Sequence, residues 1–216
     1  MKASNPQGRW LRVGDRLSSL QVTALDAGGL GVAATLSGAP VLVAGAAPGD
    51  DVAARVVHVS GHAPFTAWAE VTGVNARADA FTQPTCHHAA PLRGRCGGCP
   101  LMHLTPSAQA DWKRERVQGS LPADASNAPI MATFEAAPSP WGYRNRAHYV
   151  AGRTAHGRAI LGAYAPRSHV VVPQSGCRVV HPLIDATANG LIDTLRALSI
   201  PIHPEPSAVR YVTLRV

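Results

Sequence analysis

Between residues 11 and 74, apolar and polar positions alternate in short runs broken by glycine-centred turns. Val52, Ala54 and Val56 fall on one side of an extended chain and Arg55 on the other, the period-two pattern of a half-buried strand. Val41–Val43, Val52–Val59 and Trp68–Val74 are the best strand candidates. Gly14-Asp15, Gly28-Gly29, Gly38-Ala39-Pro40, Pro48-Gly49-Asp50 and Gly61-His62 punctuate them. Turns at this spacing predict a small barrel or sandwich. Gly28-Gly29-Leu30-Gly31 is followed by no helical pattern, so it reads as a hairpin turn and not as a nucleotide loop.

The rhythm changes after residue 75. Residues 75–85 are a polar connector, and residues 86–104 hold three cysteines. Thr105-Pro106 joins an N-cap residue to proline at a first helical position and predicts a helix to about Leu121, with Trp112, Lys113 and Val117 along it. Residues 122–140 are rich in Pro and Ala and read as a loop, and 141–180 is again strand-like. Alternation from Tyr143 to Val150 puts Arg144, Arg146 and His148 on one face and Tyr143, Asn145, Ala147 and Tyr149 on the other. Ile184, Ala188, Leu191, Leu195 and Leu198 recur at helical spacing and make Pro182–Leu198 the best amphipathic helix. The run Tyr211–Val216 has a strong strand pattern without a cap or tail, which suggests a sheet with missing partners. Together these elements predict a mixed β and α+β chain.

Composition narrows the function. The chain has 216 residues, enough for one large domain or two small ones. Its net charge is +7, with 20 basic residues against 13 acidic ones; every basic residue is Arg except Lys2 and Lys113. Arg forks onto phosphates and stacks on bases, so this balance suggests nucleic acid, with solvated surface Arg as the alternative. The start MKASNPQGRW has no apolar signal-peptide region, and no apolar run reaches ~18 residues. The expectation is a chain without membrane association in a reducing cytoplasm, where four cysteines serve a metal or catalysis more readily than disulfides.

Those cysteines are Cys86, Cys96, Cys99 and Cys177. Cys96 and Cys99 enclose Gly97-Gly98; glycines there allow positive φ and let backbone N–H groups turn toward the sulfurs. The βαβ context of a thioredoxin-like redox pair is missing. Three clustered thiols with a distant fourth suit a [4Fe–4S] cluster. His87, His88 or His103 could instead complete a Cys3His zinc site. Spacing leaves both open, and an iron–sulfur electron-transfer protein is a further class.

Two stretches carry a family resemblance. LQVTALDAGGLGVAATLSGAPVLVAGAAPGDDVAARVV resembles a TRAM domain, a small OB-like β-barrel of RNA-modifying enzymes, through Gly29–Ala33, Val41–Val43 and Pro48–Val52. TCHHAAPLRGRCGGCPLMHL, followed by Gln109 and Lys113, closely resembles the cluster motif of the TRAM-containing RNA (uracil-5-)methyltransferases. GCRVVHPLI (Gly176–Ile184) resembles their segment bearing the fourth cysteine, and WGYRNR (Trp141–Arg146) their strand entry. The resemblance implies a [4Fe–4S] cluster on Cys86, Cys96, Cys99 and Cys177. It implies RNA, either rRNA or tRNA, as partner, with Tyr143, Arg144 and Arg146 as contacts and Arg95 and Arg93 as weaker ones. Trp112 and Trp141 read as core or interface residues. Departures are a long gap from Cys86 to Cys96, Met102 where Gln is usual, and Asp50 where Glu is usual.

The implied reaction methylates C5 of a uracil from S-adenosylmethionine. It requires a thiolate to attack C6 and a base to remove the C5 proton. A cluster uses all four thiols, and no strand with a Gly-rich loop for the methyl donor follows. The expected layout is therefore a TRAM-like barrel over 11–74, a cysteine segment and helix over 75–121, and an incomplete central α+β domain over 141–216. The catalytic residues and the S-adenosylmethionine site are expected in an absent C-terminal domain, which leaves open a separately encoded catalytic partner and a chain that is not competent alone.

Overall fold

The computed structural model describes residues 11–62, 65–86, 88–89, 95–122, 137–166, 168–204 and 206–216. Two compact units are present. One holds the chain up to Thr85 and resumes at Cys99; the other holds Cys86–Ala89, residues 95–98 and the chain from Ala137 onward.

The first unit is a closed barrel of five strands: β1 (Arg16–Leu25), β2 (Gly31–Ala34), β3 (Pro40–Ala44), β4 (Asp51–Val59) and β5 (Ala67–Ala76). The order around it is β1-β2-β3-β5-β4, with β3 and β5 parallel, the other pairs antiparallel, and β1 against β4 closing the ring. Leu20, Val22, Val41, Val43, Val52 and Val56 point inward with Ala33, Ala54, Ala67 and Ala69 between them. The alanines let a barrel of this size be filled by its own side chains. The expected hairpin turn is present between β1 and β2. Asp26 accepts hydrogen bonds from Gly28 N and Leu30 N, both at 2.8 Å, and Gly29 sits at φ +82°.

Asp50, just before β4, ties the barrel to the chain that follows β5. It is fully buried and accepts from Ala47 N at 2.9 Å, Ala78 N at 2.8 Å and the Arg77 guanidinium at 2.6 Å. Helix α1 (Pro106–Gly119) follows, with the Thr105 hydroxyl accepting from Ala108 N and Pro106 in the first turn. None of its residues is buried.

The second unit is an antiparallel sheet of β6 (Arg146–Arg153), β7 (Ala159–Tyr164), β8 (Val171–Pro173) and β9 (Tyr211–Arg215) in the order β8-β7-β6-β9. Helix α2 (Pro182–Ala197) packs Ile184, Ala188, Ile192 and Leu195 on Ala147, Tyr149, Ala151 and Leu161. Each large aliphatic side chain so buried contributes about 1.5–3 kcal/mol. The expected stripe is off at its end: Leu198 caps the helix and is exposed, while Ile192 takes an inward position. A straight helix turns 100° per residue, so a strict i+7 repeat drifts off the buried face.

Candidate cysteine centre and nucleic-acid interface

None of the four cysteines is in a disulfide, and all are half-buried. Cys86, Cys96 and Cys177 belong to the second unit and Cys99 to the first. The turn Cys86–Ala89 lies beside Cys96, through Ala89 N to Cys86 O at 3.0 Å and Cys96 N to His88 O at 3.0 Å. Gln174 ties Cys96 to Cys177. Its side-chain amide donates to Cys96 Sγ at 3.4 Å, and its backbone carbonyl accepts from Cys177 N at 3.2 Å. Gly98 N also donates to Cys96 Sγ at 3.4 Å.

The glycines between the cysteines work differently from the sequence expectation. Neither Gly97 nor Gly98 has a positive φ. A Cβ on Gly97 would instead meet Pro166 Cγ at 2.5 Å, whereas one on Gly98 would make only an ordinary contact with Cys96 Sγ at 3.4 Å. Close approach, not backbone handedness, is the demand at Gly97.

Among the described residues, no group of three or more His, Cys, Asp or Glu side chains is assembled to hold a metal ion. The donor chemistry of Cys96 nevertheless fits a thiolate ligand, since two N–H groups point at its sulfur and would stabilise negative charge there. His87 and Arg93 lie outside the described residues.

His103, a candidate zinc ligand by spacing, is buried in the first unit with Nε2 unpartnered among the described residues. Burial lowers its pKa, against the smaller opposing pull of the Ala46 and Pro100 backbone and of Asp50. The lowered value is that of a buried imidazole held neutral. Its stabilisation is complete above the ordinary histidine value of ~6.5 and is lost as pH falls through that value toward the lowered folded pKa. Thermal melts between pH 8 and 5 should decline below pH ~6.5, and His103→Leu should remove part of that decline.

The basic segment is also rearranged. β6 starts at Arg146, so the expected alternation does not extend back to Tyr143. Gly142 adopts φ +68°, and Arg144 bridges to Val180, with its N–H on Val179 O and its carbonyl accepting from His181 N. Tyr143 is therefore 63% exposed, whereas Tyr149, expected on the same face, is 1% exposed in the core under α2. The Tyr149 hydroxyl is pushed up to about 12, first by burial and then by Asp185 and Cys177. Arg144, Arg146 and Arg95 are exposed. Trp141 is half-buried with the Arg178 guanidinium 4.3 Å from its ring centre, and Trp112 is half-buried on α1. Gln174 was not legible as part of the site, since only the fold brings it to Cys96.

No protein-family model matches the chain. An RNA methyltransferase of Gloeobacter violaceus is 31% identical over 202 residues, 92% of this chain and 43% of that protein. A 23S rRNA (uracil(1939)-C(5))-methyltransferase of Halomonas elongata is 32% identical over 186 residues, 85% of this chain and 36% of its own length. The chain belongs to the RNA (uracil-C5-)methyltransferase family. It spans well under half the length of these curated relatives. Within the same family, the crystal structure of the Pyrococcus abyssi tRNA (uracil-54, C5)-methyltransferase with S-adenosyl-L-homocysteine matches 91% of this chain and 42% of its own. That match has a TM-score of 0.57 at 18% identity, a likeness of fold.

Proposed function

We propose that these residues form the RNA-recognition and [4Fe–4S]-bearing portion of an S-adenosylmethionine-dependent RNA uracil-C5 methyltransferase acting on rRNA or tRNA. The observation that carries the reading is the alignment of 85% of the chain with a relative named for uracil C5 methylation of 23S rRNA. Cys86, Cys96, Cys99 and Cys177 would hold the cluster as its four thiolate ligands. The barrel, similar to the OB-like TRAM type, binds RNA together with Arg144, Arg146, Tyr143 and Arg95. Arg offers paired donors to phosphate oxygens, and Tyr stacks on an unpaired base. A reducing cytoplasm would keep the thiols available as ligands.

The methyl donor and the attacking thiolate are assigned to residues outside these 216, because a cluster on four cysteines leaves no thiol for C6 of the uracil. A methylation assay on unmodified rRNA and tRNA should show no transfer by this polypeptide, and transfer would overturn that assignment. Anaerobic isolation should yield brown protein containing iron and sulfide; colourless protein with bound zinc would reject the cluster. RNA affinity should fall with salt, with a log–log slope of about −0.7 per phosphate contact on a single strand. Replacing Arg144 and Arg146 together with Ala should weaken binding and make the slope shallower by up to about 1.4.

A further inference from the structure

The sheet of the second unit has one face under α2 and another that α2 does not cover. Cross-strand register assigns the residues of that second face. Arg146 stands opposite Arg215, His148 opposite Thr213, and Val150 opposite Tyr211. Val150 also pairs with Gly162 on β7, which places Tyr164, two residues on, at the same face.

Three features set this surface apart. First, it exposes rings in a chain that has few. Tyr211 is 55% exposed and Tyr164 is 39% exposed. Second, the rings are arranged. His148 lies stacked on Tyr211 with centroids 5.2 Å apart and planes 21° apart, and a 2.8 Å hydrogen bond between His148 Nδ1 and Thr213 Oγ1 fixes the imidazole. Tyr164 is raised in pKa by desolvation and by the neighbouring Tyr211 hydroxyl, which places the two phenols side by side. Third, charge is one-sided. β6, β7, β8 and β9 contain no Asp or Glu, and Arg146 and Arg215 face each other directly across a strand pair. Like charges in that position destabilise a sheet unless an anion lies between them. Arginine as a guard against edge aggregation would explain Arg215 but not the exposed, ordered rings beside it.

We infer that this face is a platform for unpaired RNA, with bases stacking on Tyr211–His148 and on Tyr164 and a backbone phosphate held between Arg146 and Arg215. The inference rests on the RNA reading above and adds Tyr211, Tyr164, His148 and Arg215 to it. Such a surface favours single strands, because only unstacked bases present their faces to an aromatic ring. It selects little by sequence, because every base has a π-face.

Fluorescence anisotropy on the 216-residue chain tests it, using a labelled single-stranded oligoribonucleotide and a blunt duplex of the same length. Tyr211→Ala should weaken single-strand binding about 5- to 150-fold, the range for one lost base–aromatic stack. Tyr164→Ala should weaken it in the same direction, Tyr211→Phe should retain it, and duplex binding should be unchanged in all three. Ultraviolet crosslinking of the unsubstituted chain should map to peptides containing Tyr211 or Tyr164, a readout that does not depend on how the variants fold. Unchanged single-strand affinity in both Ala variants, with crosslinks elsewhere, overturns this inference and leaves the RNA reading standing; it is also the result expected if the face docks a protein. Absence of RNA binding by the unsubstituted chain at low salt overturns both.

Discussion

Replacing Asp50 with Ala should destabilise the barrel by about 3–5 kcal/mol, the range for removing one member of a buried, hydrogen-bonded ion pair. The carboxylate accepts from three donors: Ala47 N, Ala78 N and the Arg77 guanidinium. Its loss leaves two backbone N–H groups and a cation without their acceptor. Arg77→Met should cost less. Asp50 would keep two backbone donors, and the departing Arg77 side chain is 32% exposed, so water replaces part of what it loses. Arg77 also lies 3.7 Å from the Phe81 ring centre, so its removal forfeits a cation–π contact of about 0.5–2 kcal/mol. Urea unfolding reads the order directly, as a larger drop in midpoint for Asp50→Ala at an unchanged slope. An Arg77→Met variant at least as damaging as Asp50→Ala would show that the pair is held by the cation and not by the convergence of backbone donors on the carboxylate.

The barrel was legible because its signals are local. Period-two alternation marks β4 within nine residues, and Asp26 with Gly29 writes the first hairpin into five. The parallel pairing of β3 with β5 and the closure of β1 on β4 were not legible, since both depend on contacts between distant segments. Asp50 illustrates the limit. Pro48-Gly49-Asp50 reads as a turn, but the partner that gives the carboxylate its role lies 27 residues away. The basic segment failed for a related reason. Alternation is a sound rule inside a strand, but Gly142 and the Arg144–Val180 bridge hold the chain before β6 to a different neighbour. At the cysteines, spacing named the thiols but could not find Gln174, and it assigned to Gly97 a conformational role where the structure shows a steric one. Tyr211 looked like any strand residue until the register placed it beside His148.

If the four cysteines hold the proposed [4Fe–4S] cluster, Cys96→Ser should sharply lower the iron content, because a serine hydroxyl remains protonated at neutral pH where a thiolate is the proposed ligand. The informative comparison is Gln174→Leu. This change keeps all four thiols and removes the amide that donates to Cys96 Sγ at 3.4 Å. Groups that hydrogen-bond a metal ligand typically change metal affinity about 10- to 100-fold, so the variant should assemble iron but lose it faster to a chelator. Hydrogen bonds to cluster sulfurs stabilise the more negative, reduced state, so the potential should also move to a more negative value. A purely structural role for Gln174 predicts a lower melting temperature with the potential unmoved. Gln174→Glu separates the two further: it preserves size and can still accept, but a carboxylate cannot donate to the sulfur and adds a negative charge beside it. Its potential should fall below that of Gln174→Leu, and iron content with protein-film voltammetry on the three proteins measures both effects. Equal potentials in all three would remove Gln174 from the cluster's surroundings.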